Sequence, residues 1–340
     1  MIKNTVVLLA GFGGPTSPAE VKPFLRSVLE GTNIPESRRE EVLRHYEAVG
    51  GVSHYNSTTE MQRKALEVWL KNEKWGIPVL AGFLHSEPSF KNIFMDLKKR
   101  GTERVVGVVL SSFRAYASFD KYKIKIEEAK KETGTAGIEM IYTEAFYNHP
   151  LFIEAQAERI LEATRKIPSG TKDKTMWMCS AHSIPIRMSQ QSSYAEEFVT
   201  AATQVAKRLG QKDWGLGYQS RSGRLEDRWL EPNVMAMVEK LDKRRFKNVV
   251  FVPIGFLCDN VEVTYDLDIE AKNFCGSLGL HYSRAATVGD HPKFIEMLAN
   301  VIASAAKQSP GGFPPQSIGG PADDLMAGLR RPVVRRDSSQ

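Results

Sequence analysis

Cysteine is scarce: Cys179, Cys258 and Cys275 are the only thiols in 340 residues, and no Cys-x-x-Cys pair occurs. That pattern argues against a disulfide framework or a structural zinc site and fits a reducing compartment. Long apolar runs are missing as well. Nothing approaches the roughly 18 residues of a membrane-crossing helix. Val6-Val7-Leu8-Leu9-Ala10 ends in Gly11-Phe12-Gly13-Gly14-Pro15, so it is too short for a signal-peptide core and reads as a buried first strand. There is no Gly-Lys-Ser/Thr phosphate loop, no three-glycine dinucleotide fingerprint and no Gly-x-Ser-x-Gly elbow, which removes the commonest nucleotide-binding and serine-hydrolase signatures. His85-Ser86-Glu87 lacks the Pro-Cys-x-x-Cys that zinc deaminases need. A large excess of one charge is also lacking: 46 Lys and Arg face 40 Asp and Glu, a net +6 that does not imply nucleic acid. A cytoplasmic protein is expected, with room left for loose membrane association and for either a monomer or a homodimer.

What is present is an alternation of short apolar runs with longer charged segments of helical period, the βαβ signature of parallel sheets covered on both faces. Candidate strands run over 5–10, 79–84, 105–110 and 139–142, then 174–181, 214–220, 248–256 and 281–284. Helical patterns lie at 18–29, 58–72, 90–100 and 121–132, then at 195–209, 234–243, 261–274 and 291–306. The expected fold is α/β with two similar domains, 1–150 and 151–307, each able to bury its own core. A helix over 150–167 crosses between them. From 308 to 340 the composition turns to Ser, Pro, Gly and Gln, too poor in apolar residues to offset the entropy of ordering, and a disordered tail is expected.

Three constellations could carry chemistry. Gly11-Phe12-Gly13-Gly14-Pro15 follows the first strand, either as a tight turn or as a backbone cradle for a ligand. Cys179-Ser180-Ala181-His182-Ser183-Ile184-Pro185 puts His182 at the C-terminal end of a strand, where such sheets hold ligands, although a lone histidine there is also compatible with a structural role. Finally, a strand ending at Pro253 to Phe256 leads into a helix on which Glu262, Asp266 and Glu270 stand four residues apart. An α-helix turns by about 40° over each such step, so the three form one acidic stripe. Like charges at this spacing weaken a helix, yet the flanks are apolar, which favours a cleft over a solvated face.

Taken in order, Gly13-Gly14-Pro15, Tyr46-Glu47-Ala48-Val49-Gly50-Gly51-Val52-Ser53, Ser180-Ala181-His182-Ser183-Ile184-Pro185, Tyr218-Gln219-Ser220, Trp229-Leu230-Glu231-Pro232 and the 255–270 block resemble the ferrochelatase family over about residues 5–306. The resemblance implies two Rossmann-like, chelatase-type domains, each a parallel four-stranded sheet flanked by helices, with a porphyrin held between them. It implies insertion of Fe²⁺, a substrate here, into protoporphyrin IX or coproporphyrin III. His182 and Glu262 would be the catalytic and metal-contacting pair, facing each other across the porphyrin plane. Asp266 and Glu270, with Asp268 assisting, would pass protons or metal. Phe12, Tyr46, Ser53, Tyr218 and Gln219 would line the pocket.

The match is not uniform. Asn260 stands where many relatives carry His, Tyr218 replaces a Trp, Phe12 brings no hydroxyl, and Ser111-Ser112-Phe113-Arg114 replaces a usual Pro-Gln-Tyr-Ser or Pro-His-Phe-Ser. Arg114 is a candidate for a propionate, and His85 for a secondary metal contact. No tightly bound cofactor is expected, and three cysteines cannot supply the four of the family's iron–sulfur branch. These departures keep two other readings open: a non-catalytic haem or porphyrin binder of the same fold, and a cobalt or nickel tetrapyrrole chelatase.

Overall fold

The computed structural model describes residues 4–30, 35–222 and 227–307. The expected tail at 308–340 lies outside the described residues.

Thr5–Gly11 (β1) is buried at every position, as a central parallel strand covered on both faces must be. It pairs with β2 (Val79–Phe83) on one side and β3 (Arg104–Val109) on the other, and β4 (Glu139–Tyr142) closes the order β2-β1-β3-β4. The second half repeats this layout. Its strands β5 (Thr175–His182), β6 (Trp214–Gln219), β7 (Asn248–Val252) and β8 (His281–Arg284) run in the order β6-β5-β7-β8, all parallel. The last expected strand but one stops early. Pro253 has no N–H to continue the ladder, and Gly255 N turns back to donate to Ser180 O at 3.0 Å.

The helices of the first half are α1 (Val21–Leu29), α2 (Glu36–Ala48), α3 (Tyr55–Asn72), α4 (Phe90–Lys99) and α5 (Lys121–Thr133). Then come α6 (Pro150–Thr164), α7 (Ile186–Gln190), α8 (Tyr194–Leu209), α9 (Val234–Glu239), α10 (Val261–Val263), α11 (Lys272–Ser277) and α12 (Pro292–Lys307). Between α10 and α11 the chain makes a π-helix over Thr264–Ala271, so 261–277 forms one continuous helical rod.

Alternation along the strands sorts the core. Val6, Leu8, Ala10, Val105 and Val109 face α4 and α5. Met178, Val249 and Phe251 face α9, the π-helix and α11. The other faces of both sheets, Val7, Leu9, Val106 and Val108 with Trp177, Cys179, Val250 and Val252, belong to one continuous core. Each half thus has a core face of its own and shares the other with its twin. The crossing helix α6 lies against β7 and β8, and the final helix α12 returns to pack on α3, β3 and β4. Residues 151–307 therefore include the helix that covers the first sheet. Arg114 makes a second tie: its backbone N–H and guanidinium bond to the carboxylate of Glu197 on α8, which is 1% exposed. That engagement corrects its assignment to a propionate.

Candidate active site

Open parallel sheets hold ligands outside the carboxyl ends of their strands, where the strand order reverses. In this chain those points are the end of β1, followed by Phe12 and Gly13, and the end of β5, which is His182 itself. Both open on a single cavity of about 700 Å³. Gly13 can stand there because its φ of +92° suits glycine and because a Cβ would come within 2.2 Å of Ser86 Oγ. Two of the loop's amides are already occupied, Phe12 N donating to Tyr55 Oη at 2.9 Å and Gly14 N to Asn56 Oδ1 at 3.0 Å. Of the two readings of this loop, the structure supports the tight turn.

His182 is fixed from several directions. Its carbonyl accepts from Tyr194 Oη at 2.8 Å, and the next residue ties down twice, Ser183 N to Gln219 O at 2.7 Å and Ser183 Oγ to Leu230 O at 2.9 Å. Among the described residues the imidazole Nδ1 meets only the Ser183 carbonyl, an acceptor, so this nitrogen carries the hydrogen. Nε2 then points at Glu262, 3.2 Å from Oε1. Glu262 enters on α10, whose first turn is capped by Asn260: the amide oxygen accepts from Val263 N at 3.0 Å, and its Nδ2 reaches Glu262 Oε2 at 3.4 Å. Here Asn260 does what its position asks, capping the helix and steadying the acid.

The expectation that His182 and Glu262 lie on opposite sides of a macrocycle is not met. At 3.2 Å no disc fits between them. Both rise from the second half of the molecule and address one face of whatever fills the cavity; Phe12, Leu110, Ser111 and Ser112 supply wall from the first half.

Charge couples the pair. Burial disfavours protonated His182, but the charge and hydrogen bond of Glu262 outweigh it, so the imidazole pKa is raised above its ordinary value. Burial likewise opposes an ionised Glu262, and His182 together with Asn260 reverses that, holding its pKa low. Each partner therefore favours the charged form of the other. Further along the rod Asp266 is 9% exposed. Burial pushes its pKa up to about 7; Ser220 and Gln219 hydrogen bonds work against this, and Glu262 and Glu270 add to it. Gln219 Nε2 donates both to Asp266 Oδ2 at 3.2 Å and to the Glu262 carbonyl at 3.4 Å. Glu270 is also raised, by burial and then by Glu41. All three stripe acids line the cavity.

Other candidates divide. Phe12, Tyr46, Ser53 and Gln219 line the cavity. Tyr218 does not: its ring packs 5.5 Å from Phe198 inside the core. Asp268 also points elsewhere, bonded to Arg284 and to Tyr282 Oη, which corrects its place in the relay. His85 sits behind Phe12 at 4.8 Å between ring centres, bonded to Ser27, and burial followed by Lys121 and Lys125 drives its pKa down to about 4. It is a neutral packing residue of the wall, not a residue of the cavity surface. Unforeseen contributors come from α2: Arg38, Arg39, Glu41 and His45 all line the cavity. His45 stacks on Tyr265 of the π-helix at 3.8 Å. Among the described residues no three His, Cys, Asp or Glu side chains converge as a metal cage, and no helix is long and apolar enough to cross a membrane.

Comparison with known proteins bears on this geometry. A family model described as ferrochelatase matches residues 4–306. A ferrochelatase of Rhodopirellula baltica is 34% identical over 296 residues, covering 87% of this chain and 84% of the relative. A coproporphyrin III ferrochelatase of Mycolicibacterium smegmatis is 31% identical, covering 93% and 92%. Among solved structures, the sirohydrochlorin chelatase SirB of Bacillus subtilis subspecies spizizenii, in complex with cobalt, superposes with a TM-score of 0.54 over 91% of this chain and 98% of its own, at 12% identity, a likeness of fold. With twin sheets opening on a shared cleft, and a family match that runs nearly end to end, this chain belongs to the ferrochelatase family, lyases that insert iron into a porphyrin.

Proposed function

We propose that this chain inserts ferrous iron into coproporphyrin III, in the cytoplasm and without a resident cofactor or iron–sulfur cluster, with His182 and Glu262 as the pair at the reacting centre. The observation that carries the reading is the 3.2 Å contact between His182 Nε2 and Glu262 Oε1 inside the cavity. Metallation releases two N–H protons and makes a hydrated ferrous ion give up its water. One pyrrole proton passes to the neutral imidazole at Nε2, where Glu262 stabilises the charge that develops. The second goes to a carboxylate. Asp266, with its proton affinity near neutrality, hands protons toward Glu270 and the rim. Iron enters between the vacated nitrogens with its oxidation state unchanged, and Glu262 is the hard oxygen donor that meets it.

The choice of coproporphyrin III rests on two supports. Mycobacterial relatives bear that name. Also, Arg38 Nε and Arg39 Nε are buried at the cavity with no hydrogen-bond partner among the described residues, donors suited to the carboxylates of a tetrapropionate ring. Anaerobic assays with Fe²⁺ and each porphyrin, followed at the Soret band, test it. The expected result is a kcat/KM for coproporphyrin III at least tenfold that for protoporphyrin IX; equal or reversed values overturn the choice.

A further inference from the structure

The five N–H donors of Arg284 are fully committed. At the end of β8 and 13% exposed, its Nε and Nη2 bond to Asp268 Oδ1 and Oδ2 at 2.7 and 2.8 Å. Its Nη1 and Nη2 reach Asp259 Oδ1 and Oδ2 at 3.1 and 3.2 Å, and Nη1 also donates to Ala285 O at 3.2 Å. One planar cation thus grips two carboxylates by two forks. Each carboxylate is held again: Asp259 Oδ1 by Thr287 N at 3.2 Å, Asp268 Oδ1 by Tyr282 Oη at 3.0 Å.

The two aspartates bracket the active segment. Asp259 stands three residues before Glu262, and Asp268 two residues after Asp266, on the side of the rod turned away from the cavity. We infer that Arg284 is a positioning residue for iron insertion: it straps both ends of the 259–268 segment to β8 and so holds Glu262 and Asp266 at the cavity. It touches neither porphyrin nor iron. Lysine cannot replace it fully, because a point charge does not span two forks.

The inference rests on the reading that Glu262 meets the iron, so Glu262→Gln is measured alongside. With kcat expressed per porphyrin-binding site, Arg284→Met should lower kcat at least tenfold and raise the KM for Fe²⁺ at least fivefold, while the porphyrin KM stays within twofold. Loss of folded protein would not move the iron KM. Arg284→Lys should recover part of the defect, and Tyr282→Phe should stay within twofold of wild type. Asp268→Asn breaks the same strap from the helix side and covers the case in which the arginine variants fail to fold. It should give the same kinetic split, and added to Arg284→Met it should cost nothing more. Wild-type kcat and iron KM in Asp268→Asn or Arg284→Met overturn the strap. A fully active Glu262→Gln instead overturns the reading beneath it.

Discussion

An imidazole whose one free nitrogen looks straight at a carboxylate holds its proton more tightly than it would in water. The pH dependence of this pair follows from the two shifts with opposite signs. His182, with its pKa raised above 6.5, contributes stability that is complete below 6.5 and is lost as pH rises through the raised value. Glu262, depressed below 4.5, contributes stability present above 4.5 and lost as pH falls through the lowered value. The pair therefore stabilises the fold most between about 4.5 and 6.5. For catalysis the demand is opposite, since a proton acceptor must be empty, and activity should climb as His182 deprotonates above 6.5. An NMR titration reads this without turnover. Assigned by its loss in His182→Gln, the His182 ring signal should titrate above 6.5 in the wild type and at a lower pH in Glu262→Gln, where burial is opposed only by the Ser183 carbonyl and Asp266. An unchanged midpoint would mean that Glu262 does not govern the imidazole.

Among the elements, the rod carrying Glu262 shows what a sequence tells and what it withholds. The acidic stripe is legible, and so is the apolar one opposite: Val263, Leu267, Ala271 and Cys275 recur every four residues and are all fully buried. In an α-helix three such steps would drift by about 120°, so a strict spacing of four along one buried face asks for wider turns than 3.6 residues. The π-helix over Thr264–Ala271 supplies them. That signal lay in the spacing of both stripes, but hydrogen-bond registry is not written in residue types. Helix α2 stayed hidden for another reason: only Tyr46 on it is buried, so no apolar period marks it, and it forms because Val42, Leu43 and Tyr46 pack with α1 and Val261. The central strands β1, β3, β5 and β7 were legible because their runs are buried on both faces, and His182 because it closes one of them. Tyr218 and Asp268 misled, since sequence position cannot say on which side of an element a side chain emerges. Between elements, tolerance is small at Gly255. A Cβ there would lie 2.6 Å from Ala181 Cβ and 2.7 Å from its Cα, one residue before His182. Gly255→Ala should lower stability by about 1–3 kcal/mol in urea melts, as overpacking does, and should cut kcat more than tenfold. A variant with wild-type stability and rate would show that the two strand ends can part freely.

On the scale of the whole molecule, duplicated sheets present their switch points to one cavity, and the returning helix α12 together with the Arg114–Glu197 link makes the two halves share a core. The wall from the first half and the acid pair from the second must keep their separation if a rigid ring is to sit against both, and a continuous core is what fixes it. The account turns on the pair itself. Its most direct test is a single turnover: porphyrin pre-bound to the protein, mixed anaerobically with ferrous iron, with metallation followed in the Soret band for wild type, His182→Ala and Glu262→Gln. The account predicts that both variants still bind porphyrin with near wild-type affinity yet metallate it at least a hundredfold more slowly, within the range that general acid–base groups contribute. Metallation of the bound ring at the wild-type rate by either variant would contradict it.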